Sequence, residues 1–244
     1  MNGAVPINSE IVARDPLEGH LRPPAGRLAR LRYYTKRYGF VHAVVSYLGR
    51  KSFCFWQLVG TGITRPYLKR WLQAEGPHIL NLGGGIVICD RWLTGDVVPR
   101  SDVYMDVTRP LPLPDNSIDA IFSEEVIEHV PLPDGRAMLK ECHRVLKPGG
   151  RLRLSTPDLG YFARRAQDPE VSPQEINDIF YKHEHRHIYS RAELRQCLES
   201  AGFFRLRESS YRDPDSAYGY LDSHPVRHQH PPEWSQYWEA EKRP

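Results

Sequence analysis

The sequence predicts an α/β protein built on a doubly wound, mostly parallel sheet, with a helical extension before it. Two observations carry this. From residue 77 onward short apolar runs alternate with helical patterns, which is how strands joined by crossover helices read. The first apolar run, Ile79 to Leu82, ends on Gly83-Gly84-Gly85, at the place where an open parallel sheet presents backbone to a ligand.

The elements follow in order. Residues 1 to 26 hold Pro6, Pro16, Pro23, Pro24 and Gly26 without periodicity and are expected to form an extended leader. Residues 27 to 76 are expected to form a helical extension. From Leu28 to Leu58 apolar residues recur at three- and four-residue spacings with basic residues between them, which predicts amphipathic helices, and a further helix is expected over 66–74, before the stop at Gly76-Pro77. Residues 77–210 form the expected catalytic domain, with strands near 78–82, 92–95, 102–105, 118–123 and 151–156. Helices are expected near 125–130, 134–145 and 191–201. Lys147-Pro148-Gly149-Gly150 reads as a turn between helix and strand, and Ala201-Gly202-Phe203 leads into a last strand near 204–209. The segment 211–244 is expected to stand apart as a C-terminal piece.

Composition narrows the class. With 40% hydrophobic and 26% charged residues the chain has globular composition, and the absence of a long apolar run or a charged-then-apolar leader gives a cytoplasmic expectation. Cys54, Cys89, Cys142 and Cys197 show no CxxC spacing, so they are expected as reduced cysteines rather than a zinc site. Charge is uneven. Residues 1–76 contain 12 Lys/Arg and 4 acids, a net +8, which leaves −5 for the rest of a chain whose total is +3. Such asymmetry fits a solvated helical face, or an anionic partner such as a membrane surface touched peripherally.

Acidic residues close the next two expected strands: Asp96 after Trp92-Leu93-Thr94-Gly95, and Asp106 after Val103-Tyr104-Met105. A carboxylate at the second strand can accept two ribose hydroxyls, and one at the third can accept from an adenine amino group. Either aspartate can equally be a loop residue or a helix cap. A dinucleotide oxidoreductase shares this layout, but Ile88 stands where its third glycine belongs and Cys89 to Trp92 leave little room for its helix.

The joint order of ILNLGGG (79–85), DVTRPLPLPDNSIDAIFSEEVIEHV (106–130) and LKECHRVLKPGGRLRLSTPDL (139–159) resembles the class I S-adenosylmethionine-dependent methyltransferases. It is most similar to a bacterial branch associated with sugar and polysaccharide modification. The resemblance spans about residues 77–207 and implies a Rossmann-like seven-stranded sheet with S-adenosylmethionine as cofactor and S-adenosylhomocysteine as product. It implies methionine-moiety contacts at Leu82, Gly83, Gly84 and Gly85, ribose at Asp96, adenine at Asp106 and Val107, and a floor at Ser123 and Glu124. The sequence departs from the family's GxGxG at Ile86 and Val87. The expected reaction is methylation of oxygen on a small molecule or saccharide, with a non-catalytic cofactor-binding scaffold or an RNA methyltransferase as alternatives. Nucleic acid is not the expected partner, because no aromatic-interleaved RNA-binding motif is present.

Sulfonium methyl transfer needs alignment above all, and a hydroxyl acceptor also needs a base or a metal. Glu128 and His129 are the expected catalytic pair, with His129 as base. On a helix, Glu125, Glu128 and His129 would share one face, which resembles the ExxEH ligand set of metal-dependent O-methyltransferases; His183, His185 or His187 would then complete a divalent metal site. The alternative reading gives Glu128 and His129 the role of capping and orienting that helix, with no metal.

Overall fold

The computed structural model describes residues 27–49, 53–85, 92–98 and 101–244. The leader 1–26 and Ile86 to Arg91, which include Val87, Ile88 and Cys89, lie outside the described residues. The sheet has seven strands: β1 (Ile79–Leu82), β2 (Leu93–Asp96), β3 (Val103–Tyr104), β4 (Ile118–Glu124), β5 (Leu146–Pro157), β6 (Phe204–Ser209) and β7 (Ser235–Glu241). Their order is β3-β2-β1-β4-β5-β7-β6. The first five run parallel, and β7 runs antiparallel to both β5 and β6.

Central parallel strands are covered on both faces and therefore read as continuous apolar runs. Leu80, Leu82, Leu93, Val103, Ile118 and Ile121 are all fully buried. The helix α4 (Leu132–Val145) places Met138, Leu139, Cys142 and Val145 along one stripe into this core, the spacing a helix needs to bury a single face. The later helix over Arg191–Ser200 buries Leu194, Cys197 and Leu198, and the Ser190 hydroxyl caps its start by accepting from the Glu193 N–H at 3.2 Å. Cys142 and Cys197 are buried and unpaired, and burial pushes the Cys142 thiol up to about 12.

The N-terminal extension forms α1 (Arg27–Tyr38), α2 (Phe40–Gly49) and α3 (Phe53–Leu72). The helix expected over 66–74 is the end of α3, which runs through Pro66. α3 lies beside the edge strand β3, where the Thr64 hydroxyl accepts from the Tyr104 N–H at 3.0 Å and Leu68 joins the core. An edge covered in this way is closed to further strand pairing.

Three expectations are corrected. The turn at 147–150 is a bulge inside β5: Ile118 and Ala120 of β4 face Leu146 and Arg151, so the intervening glycines loop out of register. The helix expected over 125–130 is only a 3₁₀ turn, Ile127–His129, because Glu125 adopts a φ of 55° that no helix tolerates. The segment 211–244 does not stand apart from the domain. It supplies β7, inserted between β5 and β6, and its first part is pinned to the sheet by the buried guanidinium of Arg153, which donates to Asp222 at 2.9 and 2.5 Å.

Candidate active site

β2, β1 and β4 are neighbours and run parallel, so their carboxyl ends lie side by side at one end of the sheet. After β1 the chain turns through Gly83 (φ 75°) and Gly85 (φ 58°). A Cβ on Gly83 would stand 2.3 Å from Val126 Cγ2, and one on Gly84 would stand 2.2 Å from Asn81 Nδ2, so the loop is packed too closely for side chains. Gly83→Ala is therefore expected to cost about 1–3 kcal/mol in urea unfolding, with part of the loss recovered when Val126→Ala is added.

Asp96, at the end of β2, holds that loop. One carboxylate oxygen accepts from the Gly85 N–H at 2.8 Å and the other from the Val98 N–H at 2.9 Å. Burial raises its pKa, while these N–H donors and His129 pull it down. Asp102, which sequence reasoning passed over, braces the same strand by accepting from the Thr94 N–H at 2.8 Å.

The other expected cofactor residues divide. Leu82 is fully buried in the core, so it offers a ligand only backbone. The Ser123 hydroxyl is buried without a partner. Asp106 is engaged in its own loop, accepting from the Thr108 N–H at 3.0 Å and hydroxyl at 2.7 Å, with Arg109 at 3.3 Å, and Val107 packs against the core. Glu124 is fully engaged elsewhere. Its carboxylate accepts from the Ser223 and His224 N–H groups at 2.7 and 2.8 Å and from Arg227 at 2.8 Å, which ties the C-terminal segment to β4.

Glu128 and His129 follow β4 at the same end of the sheet. The Glu128 side chain is completely buried. One of its oxygens accepts from the Thr156 hydroxyl at 2.9 Å, while the other, Oε1, has no hydrogen-bond partner. That oxygen lies 3.9 Å from His129 Nε2 and 4.0 Å from His185 Nε2. His185 is brought there by its own strand of chain: the Arg186 and His187 N–H groups donate to the Glu128 carbonyl at 2.7 and 3.1 Å. Burial pushes the Glu128 carboxyl up to about 8, lowers His129, and lowers His185 to about 3, so both imidazoles are neutral at pH 7. Their rings meet edge to face at 4.9 Å.

Of the three candidate histidines only His185 joins the cluster. His187 contacts Glu193 at 2.9 Å, and the His183 ring lies beside the cluster, 5.6 Å from His185 and 5.9 Å from Trp234, without contributing a ligand atom to it. Glu125 does not join either. With its positive φ the carboxyl is carried into a buried position beside Ser155 and Ser235, where burial and the neighbouring Glu128 hold its pKa well above the usual range. The hydroxyls lie near it, yet neither carboxyl oxygen is in hydrogen-bonding geometry.

Among the described residues, Glu128, His129 and His185 are the group whose ligand atoms lie within 4.8 Å of one another in a way that suits a metal ion. Two imidazoles and an unpartnered carboxyl oxygen, too far apart to hydrogen-bond to one another, are the donor types a divalent cation takes.

A methyltransferase domain family model matches residues 91–154. Over 105 residues the chain is 36% identical to a probable S-adenosylmethionine-dependent methyltransferase of Mycolicibacterium smegmatis, covering 43% of this chain and 36% of that protein. Over 40 residues it is 52% identical to the ubiquinone biosynthesis O-methyltransferase of Xanthomonas oryzae pv. oryzae, covering 16% of each. The first of these matches spans about a third of the relative's length and the second far less. Among solved structures, phosphoethanolamine N-methyltransferase 2 of Haemonchus contortus is similar with a TM-score of 0.49 at 14% identity, over 88% of this chain and 60% of that one. Residues 91–154 thus match a methyltransferase domain, and they lie in a seven-stranded sheet of order β3-β2-β1-β4-β5-β7-β6 with a glycine turn after β1.

Proposed function

We propose that this chain transfers the methyl group of S-adenosylmethionine to an oxygen of a small-molecule or saccharide acceptor, with the cofactor on Gly83 to Gly85 and Asp96 and the acceptor beside Glu128 and His129. The observation that carries the reading is the placement of His129. It is close enough to Asp96 to feel its charge and lies 3.9 Å from the unpartnered oxygen of Glu128, so a base stands near both the expected cofactor carboxylate and a buried acid. The name of the Xanthomonas relative, an O-methyltransferase, agrees with oxygen as the acceptor atom.

In this reading Asp96 fixes the ribose, the glycine turn lets the methionine part lie against backbone, and the sulfonium methyl is directed toward β4. His129 is neutral because burial lowers its pKa, so its Nε2 can accept the hydroxyl proton as the methyl moves. A hydrogen bond to the Glu184 backbone holds the imidazole, and Glu128 walls the site from its buried position, 3.9 Å from Nε2. Asp106 and Val107 would bound the adenine; Asp106 reaches it with the lone pairs its own loop leaves free. Ser123 forms the floor, and Glu124 serves by anchoring the segment that closes it.

A second reading has Glu128, His129 and His185 hold a divalent cation, and the orphaned Glu128 Oε1, with both Nε2 atoms about 4 Å from it, favours it. When bound, such an ion lowers the pKa of a hydroxyl acceptor and positions it. His129→Ala is expected to leave cofactor affinity within about twofold and to lower turnover by about 100-fold or more, as loss of a positioned base does. If a metal is used, a chelator reproduces that loss in the wild type and added divalent cation reverses it. Turnover indifferent to both the substitution and the chelator would remove His129 and the metal from the mechanism together.

A further inference from the structure

The N-terminal helices carry a feature that methyl transfer does not use. Residues 19 to 74 contain 11 Lys/Arg and no Asp or Glu. In α1 the side chains of Arg30, Arg32 and Lys36 are exposed. α2 has no Lys, Arg, Asp or Glu at all. Between the two helices the chain turns at Gly39, with a φ of 87°, and α2 then opens on Phe40 and Val41, 64% and 67% exposed, while Leu28 at the far end of α1 is 75% exposed. The inner side of the pair is properly buried: Tyr34 and Ala43 pack with Leu31, Tyr33 and Tyr67. The outer apolar residues are therefore not a misplaced core.

We propose that the α1–α2 corner is a peripheral docking surface for an anionic lipid bilayer, with Phe40 and Val41 entering the headgroup layer and the α1 cations above it. Exposed apolar residues next to exposed cations, with no acid among them, bind in the plane of an anionic membrane. No helix among the described residues is long and apolar enough to cross one, so the contact lies on the surface. Charge complementarity selects the lipid: a stretch free of acids for more than fifty residues meets no repulsion at an anionic leaflet. A nucleic acid would satisfy the cations but gives Val41 and Leu28 nothing to bury against, so the lipid is the better match.

The test is sedimentation of the full chain with vesicles of phosphatidylcholine alone and of phosphatidylcholine containing phosphatidylglycerol. Binding to the anionic vesicles is expected to exceed binding to the neutral ones by about tenfold or more, and to fall steeply with salt. The double variant Phe40→Asp, Val41→Asp is expected to fall to the neutral-vesicle level while keeping its circular dichroism and melting temperature, since both side chains are exposed. Equal binding to both vesicle types, no binding to either, or a variant that binds as well as the wild type would overturn the proposal. So would binding to an RNA homopolymer with none to anionic vesicles.

Discussion

Replacing Asp96 by Ala is expected to weaken S-adenosylmethionine binding by about 100-fold or more, on the order of 3 kcal/mol. Two losses add. The ribose loses the carboxylate that would accept its hydroxyls, and the Gly85 and Val98 N–H groups lose the oxygens that hold the loop at 2.8 and 2.9 Å. Asp96→Asn should fall between, because an amide oxygen can still accept from one of these donors but its NH₂ cannot accept from the other. Calorimetric titration of the three proteins measures this. An Asp96→Ala protein that binds as tightly as the wild type would remove β2 from the cofactor site.

Replacing Asp222 by Ala is expected to cost about 3–5 kcal/mol of stability, because it leaves the Arg153 guanidinium buried without its main countercharge. Arg153 is 1% exposed. Besides Asp222 it reaches Glu239 at 3.2 Å, the Ser209 hydroxyl at 3.0 Å and the Ser210 carbonyl at 2.9 Å, which cannot replace the lost bidentate pair. Burial pushes Asp222 up to about 6 against the pull of Arg153, so the comparison belongs at pH 7.5, where the pair is ionised. For a chain of this size the loss corresponds to a drop in Tm of roughly 10 °C. The double replacement Arg153→Met, Asp222→Leu should lose less than Asp222→Ala alone, since removing both charges also removes their desolvation cost. A double variant less stable than the single one would show that the wider network with Arg207 and Asp213, rather than the pair, holds the C-terminal segment.

The sheet up to β5 was legible because its strands are buried on both faces and announce themselves as apolar runs ended by glycine or aspartate. β7 was not. Its sequence SQYWEAE buries Gln236 and most of Glu239 through hydrogen bonds and ion pairs, with Gln236 donating to the Tyr189 carbonyl at 2.8 Å and Glu239 paired with Arg153 and Arg207, and polar partners across a chain leave no periodicity to read. The same holds for Glu125. Its spacing to Glu128 and His129 suits a helix, but a positive φ at one residue turned its side chain away, and no local propensity signals that. His185 was one of three equivalent histidines in sequence. Only the two hydrogen bonds from Arg186 and His187 to the Glu128 carbonyl select it. For Glu124 the motif pointed to the cofactor floor, whereas the structure uses the carboxylate to bind a segment about one hundred residues away.

The central claim is that the glycine turn Gly83 to Gly85 and Asp96 bind S-adenosylmethionine. Titrating S-adenosylmethionine and S-adenosylhomocysteine into the purified wild-type chain, with NADH and NADPH as controls, tests it most directly. Micromolar binding of the first two and none of the nicotinamide cofactors is the predicted result; binding of a nicotinamide cofactor in their place, or of none of the four, would contradict it.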